Sequence, residues 1–278
     1  MKFTKMHGCG NDFVLVDGPT ELSADRVREI CDRRRGIGAD GILVIGAPEG
    51  RCWPVTIHNA DGSLGESCGN GARCVARYLM DRQGGDALDL AFPGGTVTAR
   101  RDEAGIAITF AAPGSPQAIA LNGTRAYRVS FGNPHVVLFV DDPAKADLGV
   151  LAATARAAAG EANVEVARVI ANDLILLRVD ERGVGETLAC GTGACATVAA
   201  ALTLGAVNAR EVRVRLPGGT LLVRPGPERY ELAGPAEYVF NGELVEMQPL
   251  HVFGPDSLDQ LRSVRLRHPP PRISRDQT

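Results

Sequence analysis

The chain has 278 residues, 45% hydrophobic and 23% charged, with a formal net charge of −3. This is the composition of a soluble globular protein long enough for about two domains, without the basic surplus that nucleic-acid binding requires. No run of eighteen apolar residues occurs to span a membrane, and seven cysteines spread through a chain of this size read as free thiols of a reducing cytoplasm rather than a disulfide framework.

From the N-terminus, Met-Lys-Phe-Thr-Lys-Met-His leads into glycines and Asn11 rather than an apolar leader. Ser23 serves as N-cap for a predicted helix over 24–34, which stops at Gly36. A strand is expected at 55–57. A Cys68-Gly-Asn-Gly turn then opens a helix over 72–82, ended by Gly84-Gly85, and strands follow at 88–92, 97–99 and 106–110. Ala112-Pro-Gly-Ser-Pro116 has linker composition. Beyond it the pattern predicts a strand at 136–140, a helix at 151–159 ending at Gly160, and strands at 164–170 and 174–179. A Cys190-Gly-Thr-Gly turn opens a helix over 194–204, ended by Gly205, before strands at 212–216 and 221–223. Strands outnumber helices without regular alternation, which argues an α+β fold with mixed or antiparallel sheets. The segment from 248, with His268-Pro-Pro-Pro-Arg272, is expected to be irregular.

The organisation repeats. Gly10-Asn11 recurs as Gly132-Asn133 and Cys68-Gly69-x-Gly71-Ala72 as Cys190-Gly191-x-Gly193-Ala194, both 122 residues on; Pro93-Gly-Gly-Thr96 recurs as Pro217-Gly-Gly-Thr220, 124 on. Two pseudo-symmetric domains are therefore expected, 1–118 carrying Cys68 and 119–247 carrying Cys190, dividing between Pro113 and Gly123, with 248–278 as a tail. A cysteine at a helix N-terminus sits where backbone N–H groups and the macrodipole favour an anion, so each thiol is expected to have a lowered pKa. The glycines let several N–H donors converge on one point, a good carboxylate site. Two such turns facing each other across a cleft would place a base on one face of a carbon and an acid on the other, which is what inversion needs. The donors would stabilise the enolate-like charge that develops.

One Cys-Gly pair before a helix is more often only a turn and a cap; recurrence at matched positions of a repeat reverses that weighting. Gly191-x-Gly193-x-x-Ala196 fits a dinucleotide fingerprint, but no strand feeds directly into it. No Cys-x-x-Cys pair suggests a metal, and the three lysines, Lys2, Lys5 and Lys145, are poorly placed for a pyridoxal Schiff base. Cys74 and Cys195 are expected in the core; Cys9, Cys31 and Cys52 read as structural, with Cys9 of interest beside Asn11.

The segments His7-Gly-Cys-Gly-Asn-Asp-Phe13, Asn59-Ala-Asp-Gly-Ser63, Cys68-Gly-Asn-Gly-Ala-Arg-Cys74, Gly132-Asn-Pro-His135, Glu181-Arg-Gly-Val-Gly-Glu-Thr187 and Ala189-Cys-Gly-Thr-Gly-Ala-Cys195, in this order, resemble diaminopimelate epimerase over about residues 1–245. The resemblance implies two α/β domains with the active site in the cleft between them, and a last strand near 237–246 returning to the first domain. It implies interconversion of LL- and meso-2,6-diaminopimelate for lysine and peptidoglycan synthesis, with no metal, no pyridoxal phosphate or other cofactor. A small-molecule substrate, a cytoplasmic location and no nucleic-acid or membrane partner go with it; a homodimer stays open. Carried over, Cys68 and Cys190 are the acid/base thiols. Gly69, Asn70, Gly191 and Thr192 bind the reacting carboxylate; Asn11, Asn59, Asn133, Asn163, Glu181 and Arg182 hold the substrate; His135 and Glu181 help set thiol protonation. Taken alone, His135 would read as a satisfied core histidine, but Asn-Pro-His in this setting reverses that.

Against the family pattern, Gly41 stands where some members have a substrate-touching glutamine, Thr192 replaces a serine and Asp180 a tyrosine. Those at Gly41 and Asp180 leave room for altered side-chain specificity. A racemase of the same architecture acting on another amino acid is the alternative, and should lack the Asn59, Asn163 and Arg182 set. A binding protein or a phenazine-type isomerase should lack the cysteine pair.

Overall fold

The computed structural model describes residues 1–66, 68–121 and 123–244. The first half runs β1 (Lys2–Gly8), β2 (Asn11–Asp17), α1 (Ala24–Cys31), β3 (Gly41–Ile45), β4 (Cys52–Asn59), β5 (Leu64–Gly65), α2 (Gly69–Gln83), β6 (Ala87–Phe92), β7 (Gly95–Asp102) and β8 (Gly105–Ala111). After β9 (Gln117–Leu121), the second half runs β10 (Thr124–Ser130), β11 (Pro134–Phe139), α3 (Leu148–Ala159), β12 (Asn163–Ala171), β13 (Leu174–Glu181), β14 (Gly185–Thr187), α4 (Gly191–Thr203), β15 (Val212–Leu216), β16 (Gly219–Pro225), β17 (Arg229–Gly234) and β18 (Glu237–Glu243). The helices at the two cysteine turns begin at Gly69 and Gly191, three residues before their predicted starts, because the glycines themselves form the first turn.

Pairing is the same in both halves. β2 and β3 are parallel with Phe13 opposite Gly41, and β11 and β12 are parallel with His135 opposite Asn163, each partner 122 residues on. The antiparallel β3–β4 pair is matched by β12–β13, the parallel β4–β6 pair by β13–β15, and the meander β6–β7–β8 by β15–β16–β17. The remaining strands cross over. β9, next to the segment read as linker, pairs with β10, while β18 pairs with β1 and so ends the described chain in the first half's sheet. The irregular linker is therefore confined to 112–116. The half-exposed Gln117–Leu121 has little apolar alternation, and its strand geometry comes from the neighbour it pairs with. The 248–278 tail lies outside the described residues.

β8 and β17 join the halves antiparallel, with Phe110 opposite Tyr230, Ile108 opposite Leu232 and Ile106 opposite Gly234. Ile108 and Leu232 are equivalents, 124 residues apart, so their pairing marks the pseudo-two-fold axis. Both are fully buried. A Cβ on Gly69 would lie 3.3 Å from Ile108 Cδ1 and 3.9 Å from Leu232 Cδ2, and one on Gly191 would lie 2.8 Å from the same Leu232 atom. The axis pair thus sits under both cysteine turns, and α2 and α4 touch above it. Cys74 and Cys195, both fully buried, belong to the core as expected.

An ionic cluster spans the same junction. Arg224 on β16 bonds Asp102 on β7 (2.9 Å) and Glu231 on β17, which also accepts from Arg100 on β7 at 2.6 Å. Burial pushes the Asp102 and Glu231 carboxyls up, but hydrogen bonds from Arg224 at Asp102, and from Arg100 and Arg224 at Glu231, outweigh it and hold both below their ordinary values. Depressed folded-state values stabilise the fold above the unfolded value near ~4, and this contribution is lost as pH falls below it. Stability measured by urea unfolding is therefore expected to fall between about pH 5 and 3. Asp102→Asn should cost about 1–3 kcal/mol at pH 7 and flatten part of that acid slope; an unchanged slope would remove Asp102 from the account.

Candidate active site

Each cysteine is the N-cap of its helix. Cys68 Sγ accepts from Gly71 N and Cys190 Sγ from Gly193 N, both at 3.4 Å. The second shared feature is an asparagine from the preceding hairpin. Asn11 Oδ1 lies 3.8 Å from Cys68 Sγ and accepts from Asn70 Nδ2 at 3.2 Å. In the second half Asn133 Nδ2 donates to Thr192 Oγ1 at 3.4 Å, and that hydroxyl lies 3.5 Å from Cys190 Sγ. Asn70 Nδ2 also reaches the carbonyl of Ala189, next to Cys190, at 3.1 Å, and so ties the two turns to each other.

A cavity of about 880 Å³ opens on this arrangement, lined by Asn11, Asn59, Cys68, Glu181 and Arg182. Asn59 Nδ2 donates to Ser63 Oγ at 3.0 Å, and Asn11 Nδ2 to Asp40 Oδ2 at 2.8 Å. Asn163 is buried and accepts from the backbone N–H of Arg182 at 2.9 Å, fixing the chain from which that guanidinium projects. The Arg182 guanidinium forms no ion pair among the described residues. Glu181 accepts from Thr187 Oγ1 at 2.6 Å. Cys190, Asn70, Asn133 and Asn163 do not line this cavity, and among the described residues no hydrogen bond joins His135 to either sulfur. Its Nδ1 lies 2.7 Å from Glu165 Oε1 and its Nε2 3.1 Å from Asn133 Oδ1, and Asn133 and Thr192 lead from there to Cys190. Among the described residues, no group of three or more His, Cys, Asp or Glu side chains is arranged to hold a metal ion.

Electrostatics correct one expectation. Burial pushes both thiols up, and at Cys190 the nearby Glu181 and Glu165 push in the same direction; the N–H bonds from Gly71 and Gly193 only partly oppose this. At both sulfurs desolvation outweighs the helix termini. Burial likewise raises the Glu181 carboxyl, against the hydrogen bond from Thr187. Arg73, which the reading of the sequence passed over, is fully buried on α2, without a carboxylate partner among the described residues. It bonds Asn70 Oδ1 at 2.7 Å and the Pro235 carbonyl at 3.3 Å, and its charge counters the upward pressure on Cys68. Its equivalent 122 residues on is Cys195, a difference visible once the repeat is aligned.

The departures from the pattern have physical answers. A Cβ on Gly41 would lie 2.6 Å from the His58 carbonyl oxygen, so this backbone leaves no space for a side chain. Asp180 accepts from Arg156 on α3 at 2.5 Å and does not line the cavity. Cys9, in a left-handed turn with φ 54°, is buried against Gly218 and Gly219, a structural position.

The diaminopimelate epimerase family model matches residues 3–113 and 127–238. The diaminopimelate epimerase of Xanthomonas axonopodis pv. citri (strain 306) is 41% identical over 87% of this chain and 96% of its own length. That of Bacteroides thetaiotaomicron is 35% identical over 88% of this chain and 98% of its own. Among solved structures, a hydroxyproline epimerase from Agrobacterium vitis aligns with TM-score 0.65 at 15% identity, over 90% of this chain and 94% of that one. A phenazine biosynthesis PhzC/PhzF protein from Clostridium difficile (strain 630) aligns with TM-score 0.70 at 12% identity, over 88% and 99%. At those identities the structures establish the fold, mixed α/β in two pseudo-symmetric halves.

Proposed function

The chain belongs to the diaminopimelate epimerase family, and from that premise we propose that it interconverts LL- and meso-2,6-diaminopimelate with Cys68 and Cys190 as the acid/base pair. The observation that carries this reading is the meeting of two cysteine-capped helix N-termini over the Ile108–Leu232 axis pair. One sulfur, as thiolate, removes the α-proton; the other, as thiol, delivers a proton to the opposite face. The first-turn N–H groups of α2 and α4 receive the reacting carboxylate and take up the charge that develops on it. The substrate's own charge offsets the burial of the thiols, since a bound α-ammonium beside a sulfur favours the thiolate.

Arg182, Asn11, Asn59 and Asn163 serve the distal end. A planar guanidinium can grip the distal carboxylate with two parallel bonds, and the asparagines can serve ammonium or carboxylate. The reaction supplies lysine and peptidoglycan synthesis and acts on a small molecule in the cytoplasm. No helix among the described residues is long and apolar enough to cross a membrane.

Arg182→Lys keeps the charge but loses the fork. Steady-state kinetics should show kcat/KM on diaminopimelate lowered by about 1–3 kcal/mol, roughly 5- to 150-fold. Unchanged kinetics would take Arg182 out of the site. Equal activity of the unaltered enzyme on alanine would remove the requirement for a distal end.

A further inference from the structure

The repeat is broken under one sulfur only. The Phe13–Leu43 pair of the first half is replaced by His135–Glu165, each residue 122 further on. The replacement holds in space: a Cβ on Gly71 would meet Leu43 Cδ1 at 3.2 Å, while one on Gly193 would meet Glu165 Oε1 at 2.6 Å. Leu43 and Glu165 thus press on the same point of the two cysteine-bearing helices. Glu165 is fully buried, and its second oxygen, Oε2, is the one buried side-chain polar atom among the described residues without a hydrogen-bond partner. A buried acceptor left without a partner destabilises the fold, and the equivalent leucine shows that the fold itself does not require it.

We propose that Glu165 is a positioning residue for Cys190, fixing His135 and, through Asn133 and Thr192, the hydrogen bonding at that sulfur. A carboxylate only accepts, so the His135 Nδ1 proton points at Glu165, and this fixes the plane of the ring whose Nε2 lies 3.1 Å from Asn133 Oδ1. Asn133 is then held against Thr192, and Thr192 against Cys190. At Cys68 the equivalent residues Asn11 and Asn70 are present, but Phe13 and Leu43 stand where the His–Glu pair would be. The Cys68 helix carries the buried Arg73 instead.

The titratable groups around the first turn of α4 are Glu165 from β12, His135 from β11, Glu181 from β13, and Cys68 and Arg73 from α2. The flanking strands add Tyr127 from β10, Tyr230 from β17, and Arg224 from β16, the last held by Asp102, Glu211 and Glu231. Glu181 pushes both thiols up; Glu165 adds to this at Cys190, whereas Arg73 opposes it at Cys68, so Cys190 is the second of the pair to lose its proton.

This inference rests on the two-thiol reading and is tested separately from it. The pH profile of kcat/KM is compared for the unaltered enzyme, Glu165→Gln and Glu165→Leu, the latter restoring the first half's residue. Losing the charge facing Cys190 should move the alkaline limb down by about one unit, a tenfold change in thiolate fraction, and leave the acid limb in place. A uniform drop at every pH, or both limbs moving together, would overturn the proposal and reduce Glu165 to packing. Should a variant be too slow to profile, peptide-resolved alkylation by iodoacetamide against pH replaces it. Cys190 should react at lower pH than in the unaltered enzyme while Cys68 keeps its profile; equal behaviour of the two sulfurs would overturn the proposal. The two-thiol reading is judged by a different result: it falls if Cys190→Ala still inverts substrate.

Discussion

Cys68→Ala and Cys190→Ala should each stop inversion of diaminopimelate, with kcat lowered by at least about 10²–10⁴, the usual worth of one acid/base group. The fold should survive, because each substitution removes a single sulfur atom and the helix cap it provides to the N–H of Gly71 or Gly193, a small part of the core both thiols pack into. The two losses should differ in kind. With one sulfur left, α-hydrogen exchange with solvent can continue on the isomer whose proton faces that sulfur, without producing the other isomer. Cys68→Ala and Cys190→Ala should therefore exchange opposite isomers. Cys74→Ala and Cys195→Ala, deep in the core, should lower stability and leave chemistry in place. Near-normal inversion by either cap variant, measured on purified protein, would end the two-thiol account.

Leu232→Ala should lower unfolding stability by about 2–5 kcal/mol, the range for truncating a large buried aliphatic side chain. The position is severe because a cavity there opens on the junction itself. Leu232 faces Ile108 across β8 and β17 and packs beneath Gly69 and Gly191. No other element can close the gap without shifting one cysteine turn relative to the other, so kcat should fall along with stability. By comparison Ile170→Ala, at a 46% exposed position on β12, should stay within about 0.5 kcal/mol of the parent. Denaturation midpoints with constant m-values would show this directly. A loss at Leu232 no larger than at Ile170 would mean that the axis pair is not what holds the halves together.

The repeat was the most legible feature because cysteine, glycine and asparagine are fixed by backbone and site chemistry: Cys68 and Cys190 must cap, and Gly71 and Gly193 must let a neighbour approach. The crossover of β9 and β18 was not legible in the same way. The return of the last strand followed from family likeness, and nothing in Gln117–Leu121 announces which sheet it joins, since pairing is decided by tertiary neighbours. β17 was missed for a related reason: Arg229–Gly234 mixes charge with small residues, yet sits at the axis. Glu165 was hidden inside the apolar run 164–170, where one charge did not disturb the strand pattern. Only alignment with Leu43 shows that the charge replaces a core residue. The lowered thiol pKa failed as an expectation because a helix N-terminus can be recognised from local sequence, whereas desolvation depends on everything that closes over it.

The central claim is inversion by two sulfurs acting from opposite faces, and incubation of the purified enzyme with LL-diaminopimelate in deuterated water, with no cofactor added, tests it most directly. Early in the reaction the account predicts one deuterium at the inverted carbon of the meso product and almost none in the remaining LL substrate. Deuterium returning to unreacted LL substrate as fast as meso product forms would indicate a single base serving both faces, and would contradict it.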